Sequence, residues 1–160
     1  MGKIIGIFTA PDKGKRMQSH TTIKAIAGKG LEGDRYALQR GSWKAKDEKE
    51  HKKKRNVTLI ATEDIVAANL TRGDTLRFNP WDTRRNLLTI NVALRELIGH
   101  VFQVGTVRMR AVEEATPCDR PDKLSGKIGF KRAFQGRGGI LCEILSDGDI
   151  SLGDRIEVVS

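Results

Sequence analysis

Val107-Arg108-Met109-Arg110-Ala111-Val112 carries the chain into Ala115-Thr116-Pro117-Cys118-Asp119-Arg120, and the reading of that stretch decides the fold class. In an extended chain successive side chains point to opposite faces, so Val107, Met109 and Ala111 form an apolar row while Arg108 and Arg110 face the other way. A half-buried strand is predicted, and it ends at a proline-cysteine turn.

Similar short runs lie on either side. Lys3 to Thr9, Thr22 to Ala27, Asn56 to Ala61, Leu87 to Ile90, Phe102 to Val104, Ile140 to Leu145 and Arg155 to Val159 are apolar or alternating, and turn residues separate them. Gly73-Asp74 and Gly153-Asp154 read as turns feeding strands, the first into Thr75 to Phe78. Helices are few. One is expected from Thr62, whose hydroxyl would cap the acidic first turn Glu63-Asp64, closing before Gly73; a second is expected from Val92 to Ile98, capped by Asn91 and stopped by Gly99. Many short strands with scarce helices predict a mainly β fold, a closed or nearly closed β-barrel with a few short helices. A chain of 160 residues buries one substantial core, so a single domain over residues 1–160 is expected.

The formal charge of +9 is unevenly spread: from Arg40 to Arg55 eight Lys or Arg residues stand against three acids, a net +5. The segment has one large apolar residue, Trp43, and reads as a charged surface loop at about residues 40–55. A basic nucleic-acid-binding module is the alternative of another class, but no aromatics interleave with the lysines as a base-stacking surface requires. Nucleic acid is therefore not the expected partner. No apolar stretch approaches the ~20 residues that span a bilayer, and no secretory signal opens the chain, so a cytoplasmic protein without a membrane partner is expected. Two cysteines 24 residues apart, with no CxxC, fit a reducing compartment.

The two cysteines read differently. Cys142 lies inside the apolar run Gly139 to Leu145 and is expected to fill core as a small hydrophobe. Cys118 sits between a proline and an Asp-Arg pair, where a turn can present sulfur to solvent or a ligand and cations favour the thiolate, the form that ligates metals and attacks electrophiles. Gly28-Lys29-Gly30-Leu31-Glu32-Gly33 matches the dinucleotide-binding spacing, yet Asp34-Arg35-Tyr36 does not open the helix a pyrophosphate needs, so a turn between strands is expected. His20, His51 and His100 lie too far apart in sequence to suggest zinc. No nucleophile elbow or P-loop is present. Arg84-Arg85-Asn86 and Gly136-Arg137-Gly138-Gly139 each join forked donors to backbone that an anion could approach closely.

These pieces together resemble a MOSC domain, the C-terminal module of molybdenum cofactor sulfurases that also occurs as small stand-alone proteins. The resemblance runs from Gly30 onward through Leu31 to Arg35, Asn56 to Glu63, Arg85 to Thr89, Leu97 to Gly99, Phe102 to Gly105, Pro117-Cys118, Phe134 to Gly139 and Asp147 to Asp154. It implies a barrel similar to that of pyruvate kinase. It also implies that Cys118 is the reacting cysteine, a persulfide carrier or a thiolate ligand to molybdenum, with Asp34, Arg35, Arg85, Asn86, Thr116, Arg137 and Gly138 binding the phosphate-bearing molybdenum cofactor (molybdopterin) around it.

On that resemblance the chain is a molybdenum-cofactor-binding or sulfur-carrying protein. The alternative within chemistry is a molybdenum-dependent reductase of N-hydroxylated compounds, fed by an electron donor. No pyridoxal-phosphate desulfurase domain is visible, so pyridoxal phosphate would enter only through a separate cysteine desulfurase partner, and a molybdoenzyme is the other expected partner. Tyr36 stands where many relatives have histidine, and the Arg40 to Arg55 loop looks peculiar to this sequence.

Overall fold

The computed structural model describes residues 2–12, 14–38, 55–71, 77–117, 120–125, 127 and 129–159. Cys118 and all of the basic loop except Arg55 lie outside the described residues, as do Thr75 and Leu76 of the strand-like run expected there. Eleven strands and three short α-helices form the described chain. In order they are β1 Lys3–Thr9, β2 Gln18–Ser19, β3 Thr22–Ile26, β4 Gly30–Leu31, β5 Val57–Ala61, α1 Thr62–Leu70, β6 Leu87–Ile90, β7 Val101–Val104, β8 Val107–Glu114, α2 Arg120–Ser125, α3 Phe130–Ala133, β9 Ile140–Ile144, β10 Gly148–Ser151 and β11 Ile156–Val158.

One eight-stranded sheet runs in the order β11-β7-β8-β9-β5-β6-β1-β2, and β10-β3-β4 forms a second. Every pairing is antiparallel except that of β5 with β6. The alternation in β8 appears as expected, with Val107, Met109 and Ala111 buried and Arg108 and Arg110 exposed. β5 is instead buried at all five positions, as parallel neighbours with covered faces require. Val57, Leu59 and Ala61 face the main core, whereas Ile60 faces a second cluster with Ile65, Phe78, Leu88, Phe130 and Phe134.

The expected barrel is not closed. The large sheet is strongly curled, so that β1 meets the segment before β11, but their contact is one isolated bridge between Lys3 and Arg155. Backbone bonds from Ile4 N to Asp154 O (2.9 Å), Gly153 N to Ile4 O (2.7 Å) and Ile156 N to Gly2 O (2.8 Å) extend the seam without making it a ladder. The turn through Gly153 and Asp154 bends the chain away after a few residues, and the three residues of β11 pair with β7.

Two helix starts also differ from expectation. The cap of α1 is Ala61, the last residue of β5, whose methyl side chain can make no capping bond, and Thr62 is already helical. The expected Val92 to Ile98 helix is a single 3-10 turn, Leu94–Leu97, capped by Ala93; Asn91 adopts a left-handed φ of 60° and donates its N–H to Glu63 Oε2 at 2.8 Å. Arg77 and Phe78 form no strand, because the buried Asn69 amide pairs with Phe78 through both its groups, at 2.8 and 3.0 Å.

Candidate functional site

One end of the curled sheet gathers the residues that the sequence singled out. The end of β1, the start of β6, the end of β8 and the start of β9 meet there, because β6 and β1 are antiparallel and so are β8 and β9.

Asp34 is fully buried and accepts hydrogen bonds from Ala10 N (3.0 Å), Tyr36 N (3.3 Å) and Arg35 Nη1 (3.4 Å). Arg35, also buried, donates from Nη2 to Arg84 O at 2.8 Å, and its guanidinium lies 5.0 Å from the Tyr36 ring centroid. The Gly30 to Tyr36 segment is thereby clamped to the Arg84-Arg85-Asn86 corner. Arg84 holds the corner in a left-handed conformation (φ 64°) and donates to Lys15 O. A bulky residue in that region stores strain, which the surrounding bonds must offset.

Asn86 is fully buried and acts as a strand splice. Its Oδ1 accepts from Thr58 N (3.0 Å) and Thr58 Oγ1 (3.1 Å), while Nδ2 donates to Phe8 O (3.0 Å), so one amide ties β1 and β5 to the start of β6. Arg85 points the other way, from Nε to Gly138 O at 2.8 Å. Gly138 must be glycine because a Cβ would lie 2.3 Å from Ala115 O, and Gly139 (φ 91°) would clash with Leu59 O at 2.0 Å. The first contact packs the Gly138 backbone against Ala115 and Pro117, just before Cys118, and the second seats Gly139 on β5, while Ala115 N donates to Gly139 O at 2.9 Å.

Beside this corner a pocket of about 430 Å³ is lined by Thr116, Pro117, Gly129, Lys131, Arg132 and Gln135. Thr116 is the member of the expected cofactor-binding set that lines it. Asp34, Arg35 and Asn86 form internal hydrogen bonds instead, and Arg137 lies near enough to Asp64 of α1 to act on its charge. Lys131, Arg132 and Gln135 were missed in the sequence. A signal exists in Phe130, Ala133 and Phe134, whose i, i+3, i+4 spacing marks one apolar helical face and leaves Lys131 and Arg132 on the exposed side. Phe130 and Phe134 stack at 4.4 Å, and Phe78 meets both edge-on, which fixes α3 against the sheet.

Downstream of Cys118, Lys127 donates to Asp82 Oδ2 at 2.7 Å and to Arg77 O at 2.8 Å. Both members of that pair are largely buried, so the chain is held on either side of Cys118: Pro117 is buried before it and Lys127 is bound after it. Cys142, by contrast, is fully buried in the main core, and burial pushes its thiol far above the ordinary range.

The MOSC domain pattern matches residues 44–157, which include Cys118 and every residue of the pocket. The chain belongs to the MOSC domain family. Among solved structures it is similar to the YuaD protein from Bacillus subtilis, with a TM-score of 0.80 and 21% identity over 99% of this chain and 96% of that one. It is also similar to YiiM from Geobacillus stearothermophilus (TM-score 0.70, 13% identity, 100% of this chain and 76% of that one) and YiiM from Escherichia coli (0.67, 19%, 100% and 70%). At such identities the likeness concerns the fold. No curated protein matches the sequence.

Proposed function

We propose that this MOSC domain binds a molybdenum cofactor or carries sulfur, with the Cys118 sulfur as its reacting atom. The observation that supports this reading most is the pocket bordered by Thr116 and Pro117, with Lys131 and Arg132 on its wall, one residue from Cys118 in the chain. The donor set fits a phosphate-bearing pterin with a soft metal: thiolate suits molybdenum, and the two cations suit a phosphoryl group. When bound, such a group supplies redox or oxygen- and sulfur-transfer chemistry at its metal.

The chain's own residues would then hold and orient. Pro117 and the backbone of Gly138 fix the direction from which the turn leaves β8, and Arg85 restrains Gly138 through its carbonyl. In the sulfur-carrier role the Cys118 thiolate attacks the terminal sulfur of a donor persulfide, R–S–SH. A new S–S bond forms on Cys118, the donor's S–S bond breaks, and R–S⁻ leaves; neither step needs an outside oxidant.

Protein purified from a cofactor-producing host tests the reading by metal analysis, pterin fluorescence after acid release, and mass spectrometry of sulfur added to Cys118. Wild type is expected to hold molybdenum with pterin or to acquire the extra sulfur from a persulfide donor. Cys118→Ser is expected to lose whichever is found while keeping its thermal midpoint. A wild type without either, or a Cys118→Ser variant that retains it, overturns the reading.

A further inference from the structure

We infer that Met17 is a site of reversible oxidation by peroxides, and that the buried guanidinium of Arg35 receives the oxygen of its sulfoxide. The inference goes beyond the Cys118 reading and does not depend on it.

Sulfur and cation already face each other. Arg35 Nη1 donates to Met17 Sδ at 3.8 Å, and Arg35 is only 7% exposed. A thioether is a weak acceptor, so this side of a buried charge is poorly met. The other partners leave room for a better one: Nη2 has a sound bond to Arg84 O at 2.8 Å, but Nη1 reaches Asp34 Oδ1 only at 3.4 Å, and that oxygen also accepts from Ala10 N at 3.0 Å. Tyr36 adds a second soft neighbour, its ring centroid 5.0 Å from the guanidinium carbon.

Oxidation replaces the weak acceptor with a strong one. A sulfur lone pair attacks one oxygen of hydrogen peroxide, an S–O bond forms, the O–O bond breaks and water leaves; the sulfur loses two electrons and the peroxide gains them. A methionine sulfoxide reductase restores the thioether with two thiols, which leave as a disulfide and water. An S–O bond and a charge-assisted hydrogen bond of about 2.7 to 2.9 Å, meeting at an angle, span the present 3.8 Å. The unbranched side chain lets the oxygen swing toward the nitrogen. Met17 leads into β2, which pairs with Thr9 of β1, so the modified side chain fastens β2 to the clamp between Arg35 and Arg84.

Access sets Met17 apart from the other described methionine. Met17 is half-buried, whereas Met109 is fully enclosed in the main core. A sulfoxide ordinarily disrupts the packing around it, so a gain in stability is the mark of a prepared acceptor site.

The test uses the Cys118→Ala protein, in which peroxide has no thiol at position 118 to oxidise, alone and with Met17→Leu or Met17→Gln. Each folded protein is treated with hydrogen peroxide, followed by peptide mass spectrometry and thermal melting. Met17 should gain one oxygen at least about tenfold faster than Met109, and the thermal midpoint should then rise by about 2 °C or more, the scale of one added hydrogen bond to a charged group. A methionine sulfoxide reductase should reverse both changes. Met17→Leu should show no rise, which sets aside any effect at Met1, and untreated Met17→Gln, with an amide oxygen in reach of Arg35, should melt above Met17→Leu. Resistance of Met17 in the folded protein, an unchanged or lowered midpoint after its oxidation, or an equal rise in Met17→Leu overturns the inference.

Discussion

Single side chains at the sheet end show how burial and charge divide the work. Asp64, in the first turn of α1, has its carboxyl raised above the ordinary range, chiefly because burial strips its water; Arg137 opposes the rise, Glu63 adds to it and Arg95 opposes it. A proton is therefore held more tightly in the folded state than in the unfolded one. The stability that this proton confers is complete below the ordinary value near 3.8 and is lost as pH rises through the raised value. Asp64→Asn, which cannot ionise, should melt higher than wild type at pH 7, and the gap should close at about pH 3; an equal gap at both pH values would refute this account. Cys142 gives a second test of burial. Cys142→Ser places a hydroxyl in the main apolar cluster, and should cost roughly 1 to 3 kcal/mol in denaturant unfolding without changing molybdenum or sulfur loading. Cys142 was legible as core because it lies in an apolar run of strand length, whose Ile140, Leu141 and Ile144 are buried with it. Asn86 was legible as a site residue but not as a splice between three strands, since its partners Phe8 and Thr58 are distant in sequence.

The elements separate into those whose own residues specify them and those that packing creates. β1, β5, β6 and β8 were readable from period and turn residues, to within two residues at each end. β10, α2 and α3 were not, because four to six residues of mixed polarity carry little periodic signal. α3 is a product of its neighbours. Its anchor Phe130 is fully buried between Phe78 and Phe134, and a phenylalanine truncated in such a position costs about 3 to 5 kcal/mol. Phe130→Ala should lower stability by about that amount and, in the folded protein at low temperature, weaken phosphate binding by releasing Lys131 and Arg132. Phe130→Leu should recover much of both. If binding is unaffected in Phe130→Ala, the stack does not position the cations.

At the scale of the molecule, sequence shows strands but not which edges meet. Alternation specifies a buried face, and a curled sheet satisfies that demand whether or not a ladder closes it; the gap between β1 and the segment before β11 depends on a turn through Gly153 that no strand pattern records. The same limit applies to the domain boundary. The family pattern begins at residue 44, yet β1 lies between β6 and β2 in the large sheet and places Ile4 and Ile7 in the main core, and β3 and β4 add Ala25 and Leu31. Ile4, Ile7 and Leu31 are essentially fully buried, and each such side chain stabilises by about 1.5 to 3 kcal/mol. Their combined loss approaches the ~5 to 15 kcal/mol that holds a whole domain, before counting the core they would leave uncovered or the Asp34 and Arg35 clamp on the site. A fragment of residues 44–160 is therefore expected to show no cooperative thermal transition and to bind hydrophobic dye, whereas the full chain unfolds in one step. A fragment that melts cooperatively would make residues 1–43 an appendage and would place the folding unit at the boundary the family pattern draws.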